Sequence, residues 1–135
     1  MAIGQIDAAC RVKSIPGLVT QDRSRYLPVE CKNWKARVGF PEIASLSKKI
    51  EGRLPNTGLL VATGGVTGNW ELFEDALGEI GNEFIHGRRI LVLVRPDLDR
   101  LADGANLLEV LQHKMDQLHF QPHKGWSDPP RTSHP

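Results

Sequence analysis

Within the run Leu27-Pro28-Val29-Glu30-Cys31-Lys32-Asn33-Trp34, a carboxylate and an ammonium stand two residues apart, and an earlier apolar stretch carries Gln5-Ile6-Asp7. Alternate side chains of an extended strand share a face, so Glu30 and Lys32 point one way while Val29 and Cys31 point the other. With Asp7 supplied by a neighbouring strand, two acids could hold a divalent cation with one lysine beside them. That is the minimum set for metal-assisted hydrolysis of a phosphodiester. Phosphodiesters are inert because anionic oxygens repel a nucleophile and the alkoxide leaves poorly. A bound Mg²⁺ polarises the phosphoryl oxygen and supplies a more acidic water. The plain alternative is a Glu30–Lys32 surface ion pair on an edge strand, worth little energetically.

Three segments extend the pattern: Gly4-Gln5-Ile6-Asp7, then Val29-Glu30-Cys31-Lys32-Asn33-Trp34, then Gly58-Leu59-Leu60-Val61-Ala62-Thr63-Gly64-Gly65-Val66-Thr67. In this order they resemble the restriction-endonuclease-like, PD-(D/E)XK nuclease superfamily, and most nearly its Mrr-like catalytic domain. The likeness runs over roughly residues 3 to 100. It departs from the wider signature at Ile6, where proline is usual, and at Gln5, where many relatives carry an acid. The resemblance implies an α/β fold with a mixed central β-sheet flanked by helices, and a Mg²⁺-dependent DNA endonuclease of restriction or defence against foreign DNA, with Mn²⁺ able to substitute. It implies Asp7, Glu30 and Lys32 as catalytic residues. The metal ligands would be Asp7, Glu30 and the backbone carbonyl of Cys31, and Lys32 would orient or deprotonate the attacking water. Some relatives add a glutamine or lysine from the following helix, and the sequence singles none out. A nuclease fold that binds DNA or a protein without turnover is the alternative.

Lys35 and Arg37 after the second strand, and Lys48, Lys49 and Arg53 on the next helix, are candidate phosphate contacts. Residues 1–53 hold ten Lys/Arg against five Asp/Glu, and residues 54–135 seven against eleven, so the net charge of +1 divides into +5 and −4. The basic half is the half that carries the candidate site. Trp34 shares the parity of Glu30 and Lys32 and is expected to pack beneath a helix, with stacking on nucleic acid as the alternative. Gly64 to Gly68 lacks the Lys-Ser/Thr of a phosphate-binding loop and the dinucleotide fingerprint, so a tight strand-to-helix turn is expected there. His113, His119 and His123 have no accompanying cysteines, and Pro122 interrupts them; solvated side chains are expected.

The elements that must position these groups follow from periodicity. Strands are expected over residues 3–13 and 25–34, joined by a hairpin loop over 14–24 that contains Pro16-Gly17. Pro41 suits a first helical position, Ile43, Leu46 and Ile50 recur at helical spacing, and Gly52 follows as a stop. Lys48, Lys49 and Glu51 fall to other faces of that helix. A buried strand is expected from Gly58 to Thr63. A second helix, capped by Asn69, carries Phe73, Leu77 and Ile80 and ends at Gly81. Arg89 to Arg95 is the strongest strand, and Leu107, Leu108, Leu111, Met115 and Leu118 mark a final helix.

A chain of 135 residues with 40% hydrophobic and 24% charged residues has the size and balance of one soluble domain. The nuclease-like domain is expected over residues 1–119 and a flexible Pro-rich tail over 120–135. Superfamily members begin with a helix before the Asp strand. Only six residues precede Asp7, so a shortened form or a fragment is expected unless another segment fills that role. No membrane-length run and no leader pattern is present, which points to the cytoplasm. Cys10 and Cys31 are expected to be buried reduced thiols. DNA is the expected partner, a homodimer is expected for double-strand cleavage, and target recognition is left to further domains or subunits because no DNA-reading motif is evident.

Overall fold

The computed structural model describes residues 8–11, 26–52, 56–69 and 74–119. Asp7, Arg53 and the Pro-rich segment 120–135 lie outside the described residues, as do the expected hairpin loop over 14–24 and His123. The elements run β1 (Ala8–Arg11), β2 (Tyr26–Lys32), α1 (Phe40–Ile50), β3 (Thr57–Ala62), α2 (Asp75–Ile85), β4 (Arg89–Leu93), α3 (Arg95–Ala102) and α4 (Leu107–His119). One four-stranded sheet has the order β1-β2-β3-β4. β1 is antiparallel to β2, with Ala8 opposite Val29, while β2, β3 and β4 are mutually parallel. The architecture is therefore mixed α/β.

Two successive strand-helix-strand crossovers advance in the same direction along this sheet, which lays α1 and α2 side by side. Leu59, Leu60, Ile90, Leu91, Val92 and Leu93 are all buried, as parallel strands covered by helices require. Ile43, Leu46 and Ile50 close α1 onto the sheet, and Leu77 and Ile80 do the same from α2. Each such side chain contributes about 1.5–3 kcal/mol by leaving water. Val110, Leu111, Met115 and Leu118 bury one face of α4.

Three expectations are corrected. Asn69 does not cap α2: its carbonyl accepts a hydrogen bond from the Glu74 N–H at 3.0 Å, and the helix starts only at Asp75. Gly81 does not end α2 either. A helix-interior glycine costs only about 1 kcal/mol, so the helix runs on to Ile85 and turns at Gly87, whose φ is +87°. The stretch read as strand through Arg95 ends at Leu93, because α3 begins at Arg95. Pro96 suits the first turn of that helix, and the Asp97 carboxylate accepts the Val94 N–H at 2.9 Å.

Candidate active site

β2 lies between β1 and β3, so Glu30 is on an interior strand and not an edge. Its residue is only 7% exposed, which overturns the reading of a solvated surface pair. Glu30 and Lys32 meet on one face, with Lys32 Nζ 3.6 Å from Glu30 Oε2. The helix that follows closes over the same carboxylate. Lys49 of α1 donates to both oxygens of Glu30, at 2.6 Å and 3.2 Å.

Lys49 was expected on a solvated face as a phosphate contact, and that expectation is corrected: it is 8% exposed and turned inward. It follows Leu46 by three residues, and this spacing places it on the buried stripe of the helix. Two ammonium groups therefore share one buried carboxylate. Such a group is costly to bury and survives only where opposite charge and hydrogen bonds surround it.

Cys31 was expected to be a buried reduced thiol, and it is instead exposed. Its backbone matters more than its sulfur here. The Lys32 carbonyl accepts from Thr63 N–H on the β3 side at 3.3 Å. Carbonyls alternate sides along a strand, so that of Cys31 faces the β1 side. Cys10 lies on β1 opposite Leu27.

Beyond Lys32 the chain leaves the sheet and meets the end of β3. Trp34 was expected beneath a helix, and it is 42% exposed. Lys32 Nζ stands 5.2 Å from the centroid of its ring, a cation–π distance. The Thr63 hydroxyl donates to Asn33 Oδ1 at 3.0 Å, with the Trp34 carbonyl 3.3 Å away. Gly64 allows this approach: a Cβ there would fall 2.6–2.8 Å from the carbonyl oxygens of Trp34, Lys35 and Ala36. Val38 then pairs with Val66, so residues 64–67 form a turn stitched to the segment after β2. An open cleft of about 610 Å³ lies beside that junction, lined by Asn33, Trp34, Lys35, Thr63, Gly64 and Arg95. It sits at the carboxyl ends of three parallel strands, where open α/β sheets commonly bind ligands.

Of the other basic candidates, Lys35, Arg37 and Lys48 are exposed. His113 is exposed, and His119 makes an edge-to-face contact with Phe84, ring centroids 4.9 Å apart. Among the described residues, no group of three or more His, Cys, Asp or Glu side chains is placed to hold a metal ion. At this site the described residues supply one buried carboxylate, Glu30, and one carbonyl, that of Cys31, for a hard cation. That donor set suits Mg²⁺ if a second acid joins it, since Mg²⁺ retains several waters. No helix is long and apolar enough to cross a membrane among the described residues. No protein-family model matches the chain, and neither a curated protein nor a solved structure matches it.

Proposed function

We propose that the chain is a Mg²⁺-dependent endonuclease domain that hydrolyses DNA phosphodiesters, built on a restriction-endonuclease-like sheet. The observation that carries this reading is the buried Glu30 carboxylate with Lys32 at 3.6 Å, beside a cleft lined by Lys35 and Arg95. A buried carboxylate between two lysines beside a cleft is a functional-site candidate on geometric grounds. The mixed sheet, with an antiparallel pair leading into parallel strands, is compatible with the resemblance noted in the sequence.

Glu30 and the Cys31 carbonyl would hold the cation together with Asp7. The proposal requires the antiparallel pairing of Ala8 with Val29 to continue by one residue, so that Asp7 comes alongside Glu30. When bound, Mg²⁺ supplies a more acidic water and a Lewis acid for the phosphoryl oxygen. Lys32 would orient the attacking water and offset the charge that builds on the phosphate oxygens. Lys49 would balance the Glu30 charge and keep its carboxylate oriented. Cleavage of both strands would take two copies of the chain, and target choice would rest with further domains or subunits.

One observation favours the alternative of a silent binding module: both Glu30 oxygens already accept hydrogen bonds from Lys49. Plasmid nicking with Mg²⁺ or Mn²⁺ separates the two. Cutting by the wild type that is lost in both Asp7→Ala and Lys32→Ala is the expected result. Cutting unchanged in both variants, or no cutting by a wild type that still binds DNA, would overturn the endonuclease reading.

A further inference from the structure

We infer that the cleft at the ends of β2, β3 and β4 binds one unpaired nucleotide of a nucleic-acid strand, so that the preferred substrate is single-stranded or locally opened. The inference rests on the nucleic-acid reading of this site but not on hydrolysis. A continuous duplex hides its base faces, whereas an unpaired base offers a π surface of the kind an exposed aromatic ring stacks upon.

Trp34 supplies that ring. It is 42% exposed on the cleft wall, more than is usual for so large an apolar side chain. Neighbouring groups restrain both its backbone and its ring. Lys32 Nζ is held over the indole, Thr63 reaches the Trp34 carbonyl, and Gly64 leaves no room for the loop to shift inward. A pre-set ring loses little freedom on binding.

Around it the polar groups match a nucleotide. Lys35 and Arg95 line the cleft from two different strand ends and can neutralise phosphates on either side of a stacked base. Thr63 engages the Asn33 carbonyl oxygen, so Asn33 presents amide N–H donors to the acceptor edge of a base. A volume of about 610 Å³ holds a nucleotide, within the usual range for small-ligand pockets. Lys32 belongs to both sites: its ammonium lies 3.6 Å from Glu30 and over Trp34. A base seated on Trp34 would therefore hold its own backbone next to the proposed cutting centre.

The test is binding in EDTA, so that no cleavage chemistry is needed. A Trp70→Phe/Trp126→Phe background leaves Trp34 as the reporter tryptophan, because the chain has three. We expect an oligothymidylate of about ten nucleotides to quench Trp34 fluorescence and to bind more tightly than a hairpin duplex of matched length. In anisotropy titrations of the otherwise unaltered chain, Trp34→Ala should weaken single-strand binding on the order of ten-fold, whereas Trp34→Phe should retain most of it. Arg95→Glu should lower affinity and flatten its salt dependence. Circular dichroism checks that each variant is folded, and Arg95 and Trp34 are exposed enough that Arg95→Glu and Trp34→Phe test the cleft without disturbing the core. Duplex binding equal to or tighter than single-strand binding overturns the inference, as does a folded Trp34→Ala that binds like wild type. Thymidine monophosphate binding as tightly as the oligomer also overturns it, assigning the cleft to a free nucleotide. No nicking by the wild type with this binding intact sinks the hydrolase reading alone; nicking by the wild type with binding that does not depend on Trp34 sinks the cleft alone.

Discussion

Two buried acids in this molecule each meet a buried helix lysine, and they do so in different ways. Asp97, 4% exposed, takes the Val94 N–H at 2.9 Å, Arg100 at 2.7 Å and Lys114 Nζ at 2.8 Å. A backbone donor and two cations from α3 and α4 thus tie the end of β4 to both helices. Burial pushes the Lys114 ammonium below its usual range, against the hydrogen bond and charge of Asp97 that raise it. Among the described residues Glu30 has two lysines around it and no backbone donor, and one of those lysines, Lys32, stands over an exposed indole. The first cluster is a lock, and the second has the same ingredients on the strand that leads into the cleft, where the proposed function would use them.

Removing each acid should break that parallel. Asp97→Asn leaves Lys114 buried without a counter-charge and turns amide protons toward donors. Loss of one partner of a buried pair costs about 3–5 kcal/mol, and a correspondingly lower urea unfolding midpoint is expected. Glu30→Gln keeps a carbonyl acceptor for Lys49, and Lys32 retains access to solvent at 26% side-chain exposure. Lys49 still loses a buried counter-charge, so the cost should approach the same ~3–5 kcal/mol, and nicking should be abolished. Equal destabilisation with no change in nicking would reduce Glu30 to a second lock.

Gly64→Ala sharpens the comparison without touching a charge. A methyl group there meets three carbonyl oxygens of the Trp34–Ala36 segment within 2.8 Å, all of them backbone, so the loop must move. The expected stability loss is about 1–3 kcal/mol, as for overpacking elsewhere. Its functional signature is loss of single-strand binding, read by the same fluorescence titration, in a protein that still folds.

How much of this was legible in the residues depends on range. The pairing of Glu30 with Lys32 follows from strand alternation, and the α1 stripe of Ile43, Leu46 and Ile50 follows from helical spacing. Both are local periodicities. The inward turn of Lys49 lay in the same 3.6-residue pattern, three positions after Leu46, but a lysine is read as solvated unless its partner is known. That partner is nineteen residues away on a strand. Trp34 was misplaced for the same reason in reverse, since a tryptophan is read as core unless the chain beyond it turns away. The α3 helix was hidden because β4 runs into it without a loop, and its cap is Asp97 acting on Val94 instead of a serine or threonine signal. Where Asp7 lies relative to Glu30 is outside the described residues.

The smallest expected effect concerns the α2 carboxylates, a third acid cluster that lies between the two extremes. Ser47 of α1 donates to Glu83 at 2.5 Å, and Arg88 pairs with the same carboxylate. Burial alone would raise the Glu83 carboxyl, but hydrogen bonds from Glu79, Ser47 and Arg88 outweigh it and hold it below the usual range. Glu79 moves the other way, pushed up to about 7 by burial and then by its hydrogen bond and charge repulsion with Glu83. A carboxyl raised on folding keeps its proton in the folded state while the unfolded chain has lost it, so stability falls as pH rises from about 4.5 to about 7. Glu79→Gln removes that titration and should flatten the slope, leaving the variant more stable than wild type above pH 7. Because the group is partly exposed, the gain should be about 1 kcal/mol or less, measurable as a difference in urea midpoints between pH 5 and pH 8. An unchanged slope would mean that Glu79 is ionised in the fold and that α2 carries two like charges one turn apart. The cluster would then depend on Arg88 alone for neutralisation, as Glu30 depends on its lysines.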